Sequence, residues 1–575
     1  MKPKLLLSIL LFGNLTFSNA QEKKYESKSR PTDFEYLSAP DSLGLRHQLK
    51  TPNIVTNKKT SQTAATIKLP YPIIFIHGLN SKSSIWDDTT NFMDTNYLFT
   101  FGGRFDFCLN YDNIYTYSRK IFYPNSNADI ALFTPSYLVN GDYYYVNFDV
   151  ATNGSVFPTS SNSVLSNQSA IAKQGYALRE AIYRVMEITG RDKVILVGHS
   201  MGGLCAREYL QNPENWTEPN VNHHIAKLIT TGTPHLGSDA IGGQIVGVDY
   251  QSEALRDLKN TYFNYSDKGI FLFGGYELDD GGNYYNVDVN CDGNGITGDL
   301  VIGLNQKNIP TDLDYSCIIG TGAFGLGDIA VKKSSANINN VYPNLTQNIF
   351  ESAVLHNFLP QQNYQNMRGL DEPNDYSIAY GVEFDKMYLG FITEQSNTSS
   401  YVIDYDDYKF NVSANSQVNI VVNNGLSFPI YARIVNSNFT QIGTTLTINN
   451  GNNILSQYLP VGQYYLEIYG NPTSSSYQTP YAFGFTSTLS NPDFTSDNSL
   501  KIYPNPTSSK VSFDNSISNF EKVSIANSLG QEVSKSSFNT FINNQEVDIS
   551  QLPAGVYMLK LSNQNGTKTV KIIKE

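Results

Sequence analysis

Ser200 stands in Gly198-His199-Ser200-Met201-Gly202, directly after the apolar run Val194-Ile195-Leu196-Val197 and before a stretch that reads as a helix through Arg207-Glu208-Tyr209-Leu210, ended near Pro213. Four branched apolar residues in a row suit a strand buried on both faces, the usual state of a central parallel strand. A serine at a tight strand-to-helix turn is held in a strained backbone conformation, and flanking residues without side chains let helix and strand pack closely around it. Its hydroxyl then stands above the sheet, and the helix N-terminus behind it favours developing negative charge. The chemistry such an arrangement suits is nucleophilic attack on an acyl carbon, with Ser200 as the nucleophile.

A second apolar run, Pro70-Tyr71-Pro72-Ile73-Ile74-Phe75-Ile76, leads into His77-Gly78-Leu79-Asn80. A strand that ends in His-Gly and a short loop can supply one donor of an oxyanion hole, the Leu79 N–H, with the Met201 N–H as the other.

The elements that must position these groups read as an alternating array. Tyr143-Tyr144-Tyr145-Val146-Asn147-Phe148 is a further strand, and a helix is expected over about 169–189, with Ile171, Leu178, Ile182, Val185 and Ile188 at helical spacing and Gly190 as its stop. The Ser200 strand and turn come next, then a strand over Ile225–Thr230. Strands alternating with helices predict the α/β class, a doubly wound and mostly parallel sheet with right-handed crossovers. The stretch from Trp86 to Pro135 is aromatic-rich and reads as irregular, suited either to lining a cleft or to packing.

A chain of 575 residues exceeds one core and suggests about three or four domains. With 40% hydrophobic residues and a mean hydropathy of −0.30, it reads as a soluble globular protein. A net charge of −12 argues against nucleic acid, or an anionic membrane, as a partner held by charge. Residues 1–20, with Met1-Lys2-Pro3-Lys4, an apolar run from Leu5 to Phe17 and Ser18-Asn19-Ala20, read as a secretory signal peptide, and 21–66 as a polar lead-in. No later segment has the 18 or more apolar residues of a spanning helix, so no transmembrane helix is expected. Of four cysteines, Cys205 and Cys317 read as buried thiols; the spacing of these two with Cys108 and Cys291 matches neither a disulfide framework nor a zinc pattern.

After the strand at 225–230 comes Thr231-Gly232-Thr233-Pro234-His235-Leu236-Gly237-Ser238. With His77-Gly78-Leu79 and Gly198-His199-Ser200-Met201-Gly202-Gly203, this set resembles the secreted serine lipases and esterases of the α/β-hydrolase fold, and their deacylase relatives. The resemblance covers roughly residues 67–370. It implies a catalytic domain over 67–391, with an insertion in the lid region at about 240–312, and a triad in the chain order serine, acid, histidine. Of the seven histidines, His47 and His77 precede Ser200, His199 adjoins it, and His223, His224 and His235 flank the next strand, ahead of any acid loop. His356, in Ala353-Val354-Leu355-His356-Asn357-Phe358-Leu359-Pro360, is left as the base, and its setting resembles the histidine loop of these lipases. Gly327-Asp328-Ile329-Ala330-Val331 resembles the segment that carries their acid, with Ile329 where the family often has glycine; Glu351 is the alternative. The function implied is a secreted, lipase-like carboxylic-ester hydrolase acting on a lipid or other ester through an acyl-enzyme on Ser200, His356 and Asp328. An acyltransferase with the same triad and a non-catalytic surface-binding protein are the alternatives.

Within the insertion, Asp288, Asn290, Asp292, Asn294 and Asp299 follow calcium-loop spacing, with Gly293 at the sixth position. They are candidate ligands of a structural calcium, although Asp replaces Glu at the last position and Gly295 takes the eighth. No cofactor is expected for the catalysis itself.

Beyond residue 391 the pattern changes to short alternating strands, among them Tyr408–Val412, Val418–Val422, Ile430–Ile434 and Tyr464–Ile468, between Asn, Gly and Ser turns. Residues 392–486 read as a β-sandwich. Asp406-Asp407-Tyr408-Lys409-Phe410 and Leu459-Pro460-Val461-Gly462-Gln463-Tyr464-Tyr465 make it resemble the pre-peptidase C-terminal domain of secreted hydrolases. A linker at 487–498 precedes a last β module at 499–575. There Leu500-Lys501-Ile502-Tyr503-Pro504-Asn505-Pro506-Thr507, Leu552-Pro553-Ala554-Gly555-Val556-Tyr557 and Lys568-Thr569-Val570-Lys571-Ile572-Ile573 resemble the type A sorting domain of type IX secretion. That resemblance implies an extracellular protein, released or attached to the cell surface, with the type IX secretion machinery as a partner.

Overall fold

The computed structural model describes residues 69–109, 138–150, 165–238, 252–258, 272–276, 296, 300–394, 402–488, 502–513, 522–527, 532–537, 546–563 and 566–575, with the strand segments 35–36 and 130–133. The expected signal peptide, all of the lead-in but two residues, most of the insertion and the calcium-loop residues Asp288, Asn290, Asp292, Asn294 and Asp299 lie outside the described residues.

A nine-stranded sheet organises the first part of the chain, in the order β1 (Glu35–Tyr36), β4 (Ile130–Phe133), β3 (Phe101–Leu109), β5 (Tyr143–Asn147), β2 (Ile73–Ile76), β6 (Val194–His199), β7 (Ile225–Thr231), β10 (Asp314–Gly320) and β11 (Asn348–Ser352). The seven strands from β3 to β11 run parallel, and β4 and β1 close one edge antiparallel. Every residue of β2, β5, β6, β7 and β10 is buried, as continuous apolar runs require when helices cover both faces. A short ribbon, β8 (Gly275–Tyr276) with β9 (Leu300–Val301), belongs to the insertion.

The helix at Ile171–Thr189 forms where its spacing predicted it. Its Tyr176, Leu178, Ile182 and Val185 join strand residues such as Ile74, Val146, Leu196 and Leu228 in one core, each large apolar side chain contributing about 1.5–3 kcal/mol. Gly190 ends it in the left-handed conformation, donating its N–H to the Met186 carbonyl at 2.8 Å. At its other end two carboxylates from the short helix Glu253–Asp257 accept helix N–H groups, Glu253 from Ala170 at 2.9 Å and Asp257 from Ile171 at 2.8 Å. Negative charge at a helix N-terminus is favourable, and these bonds pin part of the insertion to the frame of the sheet.

The stretch after Trp86 is more regular than its sequence suggests. Asp87–Tyr97 is a helix and Phe101–Leu109 is strand β3. Asp, Thr and Asn are weak helix formers, so burial of Met93 and Tyr97 decides the conformation, and Phe105 and Phe107 are core residues of the sheet.

Two further sheets follow: β12 (Tyr380–Gly381), β14 (Asp404–Val412), β19 (Gly462–Gly470), β16 (Ile430–Asn436) and β17 (Gln441–Ile448) in one, and β13 (Met387–Gly390), β20 (Tyr481–Thr488), β15 (Ser416–Asn424) and β18 (Gly451–Leu459) in the other. Burial alternates along β15, the pattern of a strand with one face in a core. By packing, one compact unit takes residues 1–410, 420–455 and 463–485, so the α/β part and most of these two sheets belong together.

The second unit holds residues 411–419, 456–462 and 486–575. Its sheets are β21 (Ile502–Tyr503), β22 (Lys510–Phe513) and β25 (Glu546–Asp548), and β24 (Glu532–Ser537), β23 (Lys522–Asn527), β26 (Gly555–Asn563) and β27 (Gly566–Lys574). Val511, Ile525, Val547, Leu559, Leu561 and Ile572 form its core. Among the described residues no helix is long and apolar enough to cross a membrane.

Candidate active site

Ser200 lies between the end of β6 and the helix Met201–Leu210, with φ 54° and ψ −125°. A positive φ at a residue with a side chain costs about 1–3 kcal/mol and persists only where the surroundings impose it. Here the Ser200 N–H donates to the Thr231 carbonyl of β7 at 2.8 Å, and its carbonyl accepts from Gly203 N–H at 3.1 Å. Gly202 meets the β2 end so closely that a Cβ there would lie 2.6 Å from the Ile76 carbonyl oxygen. The turn expected from the sequence is thus held between two parallel strands and its own helix.

Gly78 abuts the serine: a Cβ on it would lie 2.7 Å from Ser200 Cβ and 3.3 Å from Ser200 Oγ. Leu79 and Met201 belong to one apolar cluster with Ile171, Leu204, Leu258 and Phe273, so the two candidate oxyanion donors share a neighbourhood walled by the insertion. Met201 is the first residue of its helix, where an N–H has no acceptor within the helix.

His77, which precedes Gly78, is fully buried. Its Nε2 accepts the Phe148 N–H at 2.9 Å, so its proton sits on Nδ1 and is donated to the Gly78 carbonyl at 2.9 Å. Burial lowers its pKa to about 4, which keeps the ring neutral. The Gly78 carbonyl and the Leu79 N–H belong to one planar peptide unit and point in opposite directions. Holding the carbonyl therefore fixes the direction of the Leu79 N–H. Sequence reasoning assigned His77 no role; its place at the end of a wholly apolar strand was the available signal.

His356 Nδ1 lies 2.7 Å from Asp328 Oδ2, and the His356 N–H donates to the Asp328 carbonyl at 3.1 Å. The other oxygen of this buried carboxylate accepts the Val331 and Ala330 N–H groups at 2.7 and 3.1 Å, so its orientation is fixed on both sides. His199 joins this pair to the serine turn. Its ring lies 4.7 Å from that of His356, and its Nε2 lies 3.1 Å from the His356 carbonyl oxygen. Glu351, the alternative acid, is ion-paired with Lys333 at 2.6 Å and takes no part in this arrangement. His223 meets Asp312, His224 meets the Asp192 carbonyl, and His235 is buried between Arg207 and Thr230.

Two features of these loops were not visible beforehand. Gly232 has φ +58°, and a Cβ on it would stand 3.1 Å from Asp328 Oδ2 and 3.2 Å from His356 Nδ1, against the bond that joins them. Ile329 has φ 81°, so the position where the sequence departs from the resembled family is one that favours glycine. Ile329 is exposed together with Phe324, Leu326, Leu355 and Phe358, and these side chains make an apolar rim on the acid and histidine loops. Cys205 and Cys317 are buried free thiols, as expected.

The family model described as the alpha/beta hydrolase fold matches residues 158–257, which include Ser200. The model for a secretion system C-terminal sorting domain matches residues 501–575. No curated protein is similar enough to count as a match. Among solved structures, the lin2722 gene product of Listeria innocua is 15% identical, over 53% of this chain and 95% of its own, with a TM-score of 0.32. A Bacillus licheniformis lipase with its propeptide is 14% identical, over 88% of this chain and 94% of its own, with a TM-score of 0.27. A pre-peptidase C-terminal domain of a Bacillus anthracis collagenase is 16% identical, over 20% of this chain and 99% of its own, with a TM-score of 0.16. Likenesses at this level say nothing of activity. The chain carries an α/β-hydrolase fold followed by a secretion system C-terminal sorting domain, which marks it for secretion or attachment to the cell surface.

Proposed function

We propose that the protein is a lipase-like carboxylic-ester hydrolase working outside the cell through an acyl-enzyme on Ser200. The observations that support this are the Asp328–His356 pair, 2.7 Å apart, the His356 ring 4.7 Å from that of His199, and the φ of 54° at Ser200, the residue that follows His199. In this reading His356 Nε2 takes the Ser200 proton as Oγ attacks the ester carbonyl carbon, and then returns it to the leaving alcohol. Water, activated by the same nitrogen, adds to the acyl carbon and releases the acid and the free serine. Asp328 keeps the proton on Nδ1 and stabilises the imidazolium that forms at each step. The Leu79 and Met201 N–H groups receive the negative charge on the carbonyl oxygen, each worth roughly 3–4 kcal/mol of barrier.

Support for an apolar acyl group comes from the exposed rim of Phe324, Leu326, Ile329, Leu355 and Phe358, and from the apolar wall around Met201. The test is turnover of esters of graded chain length by the purified protein and by Ser200→Ala. Loss of turnover in the variant, with free acid as product, supports the reading. Equal rates would sink it, and product esters in the presence of an alcohol would assign acyl transfer instead.

A further inference from the structure

The residue before the serine is a buried histidine that uses only one of its two ring nitrogens. His199 ends β6 and is 2% exposed. Its Nε2 lies 3.1 Å from the His356 carbonyl oxygen, while its Nδ1 is buried without a hydrogen-bond partner. A carbonyl only accepts, so Nε2 carries the proton and donates it. Burial, and after it the neighbouring His356, push the pKa of His199 well down, so the ring stays neutral and Nδ1 stays bare.

This ring is held from its surroundings. The buried Trp86 stands nearly perpendicular to it, with the centroids 6.4 Å apart, and is itself fixed by donating Nε1–H to the Ile76 carbonyl at 3.3 Å. The His199 backbone pairs with Thr231 in the β6–β7 register, and the Ser200 N–H donates to the Thr231 carbonyl at 2.8 Å. His199 and Ser200 are thus anchored to the same strand neighbour.

Three bonds then fasten the base. Asp328 takes the His356 N–H at 3.1 Å and its Nδ1 at 2.7 Å, and His199 takes its carbonyl, which leaves Nε2 as the group outside these bonds. The two bonds to Asp328 fix the base relative to the acid. Neither fixes it relative to the nucleophile, and the bond from His199 does.

We propose that His199 is a positioning residue whose Nε2–H sets the distance between the base on its loop and the nucleophile on its turn. This rests on reading Ser200, Asp328 and His356 as the catalytic triad. Three substitutions separate the bond from the bulk of the ring. A glutamine amide nitrogen is as many bonds from the backbone as Nε2, so His199→Gln keeps the donor. His199→Asn ends at the level of Nδ1 and falls short, and His199→Phe keeps a ring without a donor. On a soluble ester, His199→Phe and His199→Asn should lower kcat by about 10- to 100-fold with KM little changed, and His199→Gln should stay within about threefold of the parent. A ring that only fills space would give the reverse order, with His199→Phe near the parent and His199→Gln impaired, and that result would overturn the proposal. NMR of the chain labelled with heavy nitrogen in histidine reads the parent directly. The His199 signals, assigned by their loss in His199→Gln, should show a proton on Nε2 and none on Nδ1 at neutral pH; the opposite tautomer would overturn the proposal. Ser200→Ala, assayed alongside, separates the two claims. Parental turnover in that variant would sink the triad reading and this inference with it. An inactive Ser200→Ala beside a His199→Phe protein of parental kcat would remove the positioning role alone.

Discussion

Asp328 and His356, 28 residues apart in sequence, are joined by two hydrogen bonds, one between side chains at 2.7 Å and one from the His356 N–H to the Asp328 carbonyl at 3.1 Å. The acid therefore fixes both the ring and the backbone of the loop that carries it. Asp328→Asn should keep the fold and lower kcat by about 10⁴-fold, because an amide no longer enforces the ring tautomer a base needs. Steady-state kinetics with a soluble ester would check this, and a drop of less than tenfold would remove Asp328 from the assignment.

Gly232 leaves room for that pair. A methyl group there would stand 3.2 Å from His356 Nδ1 and would impose strain at φ +58°. Gly232→Ala should cut kcat by about 10²-fold through misplacement of the imidazole, with KM little changed. Wild-type kcat in a folded Gly232→Ala protein would show that the loops tolerate the displacement.

The neutral state of His77 links stability to pH. Its pKa is about 4 in the fold and about 6.5 when unfolded, so the native protein binds fewer protons in between. The stabilisation is fully present above pH 6.5, falls away as the pH drops from 6.5 to 4, and is exhausted below about 4. The loss attributable to this residue is about 3 kcal/mol. Urea unfolding of the parent and of His77→Gln at several pH values isolates it. Parallel pH dependences for the two proteins would mean that His77 is not the buried neutral group described.

The rim on the acid and histidine loops predicts a distinction between substrates. Phe324 is fully exposed and Leu326 is 77% exposed, so replacing both by serine costs no core packing. Turnover of an emulsified long-chain ester should fall about tenfold or more, as expected when apolar contact area is lost, while a soluble short-chain ester is unaffected. Equal losses on both substrates would point to damage at the chemical centre rather than at an apolar contact surface.

Much of the frame was legible because its signals are local. Val194–Val197 and Ile73–Ile76 could be read as buried strands from composition alone, and the helix before β6 from spacing and its glycine stop. The helix Asp87–Tyr97 was not, since its residues have weak helical preference and tertiary burial decides its state. Nor could the sequence reveal what Gly232 or His77 does. The first matters through side chains at 328 and 356, and the second through an N–H at 148, contacts that exist only once the sheet is assembled.

The most direct test of the account is covalent trapping of the nucleophile. A fluorophosphonate reacts with an activated serine by forming a phosphorus–oxygen bond with loss of fluoride, and peptide mass spectrometry locates the adduct. Ser200 should carry a single adduct, the His356→Ala protein should label about 10²-fold more slowly or worse, and Ser200→Ala should not label. An adduct on another residue, or undiminished labelling of Ser200→Ala, would contradict the assignment of Ser200 as the catalytic nucleophile.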